Sequence, residues 1–363
     1  MKITTNYKNL TKAISVVEKI VSRNPSLPVL SNILIKTENG RLKLAATNLE
    51  IGINYFLGAK VEETGEITVP ARIFSDFISN LGEEKITLAT KNNILNINTD
   101  KYKTQILGAD SKDFPIIPKI KNDVFSAISS KILKTGLSTI LDSIATSETR
   151  PELTGVFTQF TANNLTIAAT DSFRLTERII DFKNKQHISF ILPRNTVLEL
   201  IRLTGDINED VTIKHNENQV SFSTNDFEII SRLIDGNYPD YKKVIPEKFI
   251  SKVLVKKDEF EKNVRLAGLF SSNISDIKLI CNDKNIVINA KNPSKGEFQV
   301  TIDSILKNEP FEISLNYYYL LDGLKIIPTD SVVIEYTGQG SPLVLRPEGT
   351  AKDLTYLIMP LRK

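Results

Sequence analysis

The chain has 363 residues, 41% of them apolar and 25% charged, with a formal net charge of +3, which is the profile of a soluble globular protein. No apolar run reaches 18 residues and the segment Met1–Asn6 lacks the hydrophobic stretch of a signal peptide, so a cytoplasmic chain without membrane spans is expected. The single cysteine, Cys281, excludes an intramolecular disulfide.

In chain order, Leu10, Ile14, Val17 and Val21 at spacings of three and four predict a helix over Asn6–Val21. Alternation predicts two strands, Ser31–Thr37 and Leu42–Ala46, joined by the turn residues Glu38-Asn39-Gly40. Pro70, in Thr68-Val69-Pro70-Ala71-Arg72, marks the start of a second helix, and Pro115 and Pro118 mark a linker. The pattern then recurs. Leu133, Leu137, Ile140, Leu141 and Ile144 predict a helix over Ile132–Thr146; Pro193 opens another; a second linker runs from Tyr238-Pro239 to Pro246. Phe260, Val264, Ala267 and Leu269 predict a helix over Lys257–Ser271, Cys281 falls in the strand-like run Ile277–Asn282 as a small buried side chain, and Asn316 suits the cap of a last helix.

The recurrence is regular. Leu44-Ala45-Ala46-Thr47-Asn48, Ile167-Ala168-Ala169-Thr170-Asp171 and Ile288-Asn289-Ala290-Lys291-Asn292 each close an alternating run, about 122 residues apart, and Pro70, Pro193 and Asn316 keep the same step. A period of this length is a whole domain and not a solenoid unit. An α+β fold of three repeated domains follows, with boundaries near 1–120, 121–247 and 248–363.

Motifs for chemistry are absent. His187 precedes a strand and His215 is expected in a polar turn, Lys214–Asn218, neither beside a nucleophile or ligand pattern. The glycines fit no dinucleotide or Walker loop; Gly338-Gln339-Gly340 reads as a turn. No metal, cofactor or catalytic residue is expected. Charge is more telling. The six helical segments (Tyr7–Arg23, Ala71–Leu81, Ser130–Ser147, Arg194–Thr204, Lys256–Ser271 and Leu315–Ile326) carry a net +6, leaving −3 for the rest. Solvated lysines on any helix account for this equally well, unless all six face one way and make a surface for phosphates.

Seven motifs then point to a family: Arg23-Asn24-Pro25-Ser26-Leu27-Pro28-Val29-Leu30-Ser31-Asn32, Thr47-Asn48-Leu49-Glu50, Val69-Pro70-Ala71-Arg72, Asp113-Phe114-Pro115, Thr170-Asp171-Ser172-Phe173-Arg174-Leu175, Asp235-Gly236-Asn237-Tyr238-Pro239-Asp240-Tyr241 and Tyr356-Leu357-Ile358-Met359-Pro360-Leu361-Arg362. In order and spacing the chain resembles the bacterial DNA polymerase III β subunits, the sliding clamps. The resemblance implies three DNA-clamp domains, each with two helices packed on antiparallel sheets, in a head-to-tail homodimer that forms a six-domain ring. It implies a non-catalytic, nucleoid-associated processivity factor. Double-stranded DNA would pass through the hole, and the replicative polymerase α subunit, the clamp loader and other repair and replication proteins would be partners.

The same resemblance implies site residues. Arg23, Arg72, Arg150 and Arg194 would face DNA, although each also fits an ordinary surface arginine. A peptide-binding cleft would take Leu153, Thr170, Phe173, Arg174 and Leu175 from the second repeat and Pro239, Lys243 and Val244 from the linker. Asn316, Tyr319, Leu343 and the tail Met359, Pro360, Leu361 and Arg362 would complete it. As residues alone, Leu175 and Val244 suit a core equally. Phe173 stands where histidine or tyrosine is common in the family, and Lys243 where arginine is common. Tyr102 and Thr104 would meet Leu269 and Phe270 of a second copy, with the acidic cluster usual there reduced to Glu297 and Asp303. A repeat-built adhesion or scaffold protein would lack basic helices and a cleft, and a hydrolase would need a catalytic constellation that the sequence does not present.

Overall fold

The computed structural model describes residues 1–22, 27–82, 85–121, 125–184, 186–205, 207–349 and 353–361. One element order passes along it three times, with β5 an added strand in the first pass. The first pass is β1 (Lys2–Asn6), α1 (Tyr7–Val17), β2 (Asn32–Glu38), β3 (Arg41–Thr47), β4 (Ile51–Leu57), β5 (Lys60–Glu63), β6 (Glu66–Pro70), α2 (Ala71–Ser79), β7 (Lys85–Lys91), β8 (Ile94–Asn98) and β9 (Lys103–Leu107). The second is β10 (Ser126–Ser129), α3 (Ser130–Ile140), β11 (Gly155–Phe160), β12 (Asn164–Thr170), β13 (Arg174–Asp181), β14 (Ile188–Pro193), α4 (Arg194–Leu203), β15 (Asp210–His215), β16 (Gln219–Ser223) and β17 (Phe227–Arg232). The third is β18 (Ser251–Lys256), α5 (Lys257–Gly268), β19 (Asp276–Cys281), β20 (Asn285–Asn292), β21 (Gly296–Asn308), β22 (Phe311–Asn316), α6 (Tyr317–Ile326), β23 (Ser331–Tyr336), β24 (Leu343–Pro347) and β25 (Leu354–Ile358).

The strands form three antiparallel sheets, ordered β5-β1-β7-β8-β9, β10-β15-β16-β17-β4-β3-β2-β6, and β14-β11-β12-β13-β25-β24-β23-β18-β21-β20-β19-β22. Two compact units result, residues 1–133 with 199–233 and residues 134–198 with 234–363. The first unit holds the two smaller sheets and the second holds the largest. The central repeat gives four strands to each unit, because β17 pairs with β4 and β13 pairs with β25. The boundaries expected from the sequence follow the repeats, whereas the compact units follow the sheets.

Local chemistry accounts for the element ends. Asn6 caps α1, its side chain accepting the Lys8 N–H at 2.8 Å, and Asn316 caps α6 through the Tyr318 N–H at 2.9 Å. Asn39 and Gly40, at φ 51° and 74°, make the β2–β3 turn that matches strand twist. The helix predicted to Val21 stops at Val17 and tightens into a 3-10 turn, Glu18–Ile20; the one predicted to Thr146 stops at Ile140 before a similar turn, Leu141–Ser143. Buried Ile20 keeps the apolar spacing of three that both helix types satisfy, so periodicity alone does not separate them. α5 ends at Gly268, where a Cβ would lie 2.5 Å from the Tyr317 ring. His215 closes β15, edge-on to Phe125, and does not lie in the turn after it.

In the second unit, Phe260 and Val264 of α5 and Leu320 and Leu324 of α6 are fully buried against Leu279, Ile288, Ile334 and Leu345. Cys281 lies in this core, and burial pushes its thiol up to about 12, which keeps it protonated and unreactive. Among the described residues no helix is long and apolar enough to cross a membrane.

The helix–sheet contact is tightest at Gly323, where a Cβ would meet the Tyr356 ring at 2.4 Å and Leu345 at 2.9 Å. Gly323→Ala should therefore cost about 1–3 kcal/mol by overpacking. Gly40→Ala has open space and should cost only the left-handed backbone penalty, about 1–2 kcal/mol. Urea denaturation of both variants checks this; a neutral Gly323→Ala would place α6 away from β25.

Candidate functional site

The β12–β13 hairpin is shaped by its own side chains. The Thr170 hydroxyl donates to the Arg174 carbonyl at 2.7 Å and accepts the Ser172 N–H, while the Asp171 carboxylate accepts the N–H groups of Phe173 and Arg174, both at 2.9 Å. These bonds hold Ser172 at φ 77°, a conformation an unconstrained serine avoids. The β3–β4 hairpin is built alike: Thr47 bonds the Ile51 carbonyl and Leu49 N–H, and Asn48 accepts from Glu50 and Ile51.

Three elements of the second unit converge on the β12–β13 hairpin. The tail after β25 runs past it, Met359 N–H donating to the Phe173 carbonyl at 2.8 Å, and then joins β22 where Leu361 N–H donates to the Ser314 carbonyl at 2.9 Å. From α6, Tyr319 stacks with Phe173 at 6.4 Å between ring centroids, and the Arg174 guanidinium lies 4.6 Å from the Tyr319 ring. Arg174 also bonds Asp171, at 3.0 Å, and Asp322 of α6. Burial pulls the Arg174 pKa down, but Tyr356, Asp322 and Asp171 outweigh it and the guanidinium ends above its ordinary value. From the linker, the Tyr238 hydroxyl accepts the Thr170 N–H at 3.1 Å and the Tyr241 hydroxyl donates to Glu177 at 2.6 Å.

These contacts bring Thr170, Phe173, Arg174, Tyr319 and Met359 together, with Phe173 59% exposed. Leu175 lies beneath them, buried with Ala168, Tyr241, Val344 and Leu357, while Pro239, Lys243 and Val244 line the linker and Val244 is 47% exposed. Leu153 is buried, its carbonyl accepting from Ala145. Leu343 is a correction to the expected lining. It is fully buried in the core of the third repeat, paired with Ile358, and offers a ligand no surface. Asn316 spends its side chain on the α6 cap. Arg362 lies outside the described residues. Sequence reasoning did not find Asp322, Tyr238, Tyr241 or Glu177. Nor did it find a cavity of about 380 Å³ bordered by Lys278, Glu312, Tyr336, Gly338, Pro360 and Leu361.

Of the arginines expected to face DNA, Arg23 lies outside the described residues. Arg72 projects from the first turn of α2, 3.8 Å from Asp76; Arg194 starts α4 half-buried, its Nε without a hydrogen-bond partner among the described residues; Arg150 precedes a 3-10 turn and pairs with Glu152 at 3.1 Å. With the helix bounds the structure gives, the six helices carry +5, and α1 exposes Lys8 and Lys12. Tyr102 is exposed just before β9, the edge strand on which Thr104 lies, and Leu269 is 63% exposed at the end of α5 beside Phe270, which stacks on Phe298. Glu297, of the reduced acidic cluster, faces its own Lys291 at 3.5 Å.

Comparison with known proteins agrees with this architecture along the whole chain. Residues 1–118, 127–240 and 242–362 match the family models of the N-terminal, central and C-terminal domains of the DNA polymerase III beta subunit. The beta sliding clamp of Staphylococcus aureus (strain Mu50) is 30% identical over 357 residues, covering 95% of this chain and 94% of its own. The crystal structure of the DNA polymerase sliding clamp from Bacillus subtilis superposes with a TM-score of 0.96 at 27% identity, covering 100% of this chain and 99% of the other. A Pseudomonas aeruginosa sliding clamp described as bound to griselimycin gives a TM-score of 0.94 at 26% identity, with both chains covered in full. Three domain matches in step with three structural repeats, together with a 30% identical relative spanning nearly the entire length, show that the chain belongs to the bacterial DNA polymerase III β subunit family, the sliding clamps, and is a non-catalytic processivity factor.

Proposed function

We propose that two copies of this chain close head to tail into a six-domain ring around duplex DNA in the cytoplasm, placed there by a clamp loader. The convergence of hairpin, tail, linker and α6 is the observation that carries the second half of the reading. This cleft takes a short peptide from the replicative polymerase α subunit, the loader and other replication and repair proteins. It combines an aromatic pair of exposed Phe173 and half-buried Tyr319, a fixed arginine and a thioether, which suits an extended peptide with apolar anchors. A griselimycin-bound relative supports a ligand site on this fold.

Net positive helices in a chain of +3 favour phosphate contact without base readout, with Arg23, Arg72, Arg150 and Arg194 as contributors. Such contact is weak and salt-sensitive, so retention comes from ring topology. The ring contact pairs two open edges. Among the described residues β9 ends its sheet, and the Gly296–Asp303 half of β21 pairs on one side only, with β20. Tyr102 and Thr104 from one copy then meet Leu269 and Phe270 from the other.

Three outcomes are expected. Loader-dependent retention on a nicked circular plasmid survives high salt and is lost on linearisation; retention on linear DNA with free ends would rule out encirclement. Leu269→Glu with Phe270→Glu buries unpaired charge at the ring contact, a penalty of about 3–5 kcal/mol, and sedimentation at micromolar concentration gives folded monomers. Leu269→Glu alone, at an exposed position, controls for misfolding. Truncation after Ile358 removes the tail from the cleft and lowers affinity for a glutamine-led peptide ending in leucine and phenylalanine by about 30-fold to 1,000-fold. The dimer persists, and calorimetry that finds equal affinities assigns the tail to packing alone.

A further inference from the structure

Glu177 is an unusual residue for its place. It sits in the middle of β13, opposite Thr355 of β25, and is 7% exposed. A carboxylate in such surroundings is costly unless it is paired, and an apolar side chain of similar volume would serve stability as well or better. Its partner is the Tyr241 hydroxyl at 2.6 Å, a short charge-assisted bond. Burial, and then this bond to Glu177, push the Tyr241 pKa well up, so that the hydroxyl remains a donor. Beyond Thr355, Arg346 of β24 is bonded to Thr355 and Glu335, and Lys252 of β18 is bonded to Glu335, so these two cations are already paired, while Asp240 is the charge nearest Tyr241 on its own segment.

The bond acts on the linker. Tyr238 and Tyr241, three residues apart, fasten it at two points of the second repeat: Tyr238 at the Thr170 N–H and Tyr241 at Glu177. Phe157 packs edge-on against Tyr241 at 5.8 Å and at a tilt against Tyr238 at 5.4 Å, fixing both rings. Tyr241 also starts the 3-10 turn Tyr241–Val244, in which Lys243 N–H reaches Asp240 and Ile245 N–H reaches Lys242. Pro239, Lys243 and Val244 ride on this fastened segment.

Resting on the peptide-cleft reading above, we propose that Glu177 is a positioning residue: by receiving the Tyr241 hydroxyl it fixes the linker wall of the cleft and sets ligand affinity without touching the ligand.

The test uses the full-length dimer, a labelled glutamine-led peptide ending in leucine and phenylalanine, and three variants. Tyr241→Phe keeps the ring and removes the donor; Glu177→Gln keeps an acceptor; Glu177→Leu with Tyr241→Phe replaces the pair by apolar groups. Peptide affinity should fall about tenfold in Tyr241→Phe and in the double variant, and stay within about twofold of native in Glu177→Gln. Thermal midpoints separate this from plain stability: the double variant should recover the midpoint without recovering affinity. Recovery of both, or native affinity in Tyr241→Phe, overturns the proposal. Hydrogen exchange of the unliganded proteins reads the wall without any peptide. Faster exchange at Lys243 and Ile245 in Tyr241→Phe is the expected result, and unchanged exchange overturns positioning. A native chain that fails to bind the peptide defeats the cleft reading, and the exchange experiment still decides whether Glu177 holds the linker.

Discussion

The antiparallel ladder between β13 and β25 is the constraint on which the site depends. It joins Arg174 to Ile358 and Leu175 to Leu357, so residues far apart in the chain become neighbours in one sheet. The ladder brings the tail alongside the Thr170–Arg174 hairpin, and the Met359 bond to Phe173 continues it by one residue. It also sets the α6 side chains Tyr319 and Asp322 over Phe173 and Arg174. Without this pairing the hairpin would keep its local shape and its linker but lose the other two of its three neighbours, the tail and α6.

Side chains at the junction divide into those held locally and those held at a distance. Lys325 with Asp142 and Arg178 with Asp353 are exposed or half-exposed pairs, each worth at most about 1 kcal/mol. Backbone pairing and apolar burial around Leu175, Tyr241 and Leu357 carry more of the junction, because burial of each large apolar side chain contributes about 1.5–3 kcal/mol. The ion pairs orient what the sheet has already joined.

Much of the fold was legible because its signals are local. Asn39-Gly40 names its turn, Asn316 its cap, and the spacing of Leu10, Ile14 and Val17 its helix face, all within a few residues. The threefold recurrence added a check that no single motif supplies. Helix ends were less legible, since Ile20 and Leu141 continue an apolar spacing that α and 3-10 turns share. The site was legible mainly through family resemblance. Arg174 and Asp322 stand 148 positions apart and Tyr241 and Glu177 64 apart, and nothing in either local sequence announces the partner. Leu343 shows the opposite failure: an apolar residue in the right strand, turned wholly inward.

The two matching hairpins have met different fates. In the ladders, Gly52 occupies the place of Leu175, Glu50 that of Phe173 and Arg232 that of Met359. Over Gly52 the linker residue Ile117 comes so close that a Cβ there would lie 2.7 Å from it, whereas the second hairpin carries its linker on two tyrosine hydroxyls. The two hairpins share one backbone arrangement, and a handful of side chains decide how each holds its linker. One chain thus seats its two linkers by different means, apolar contact at one joint and hydroxyl hydrogen bonds at the sister joint.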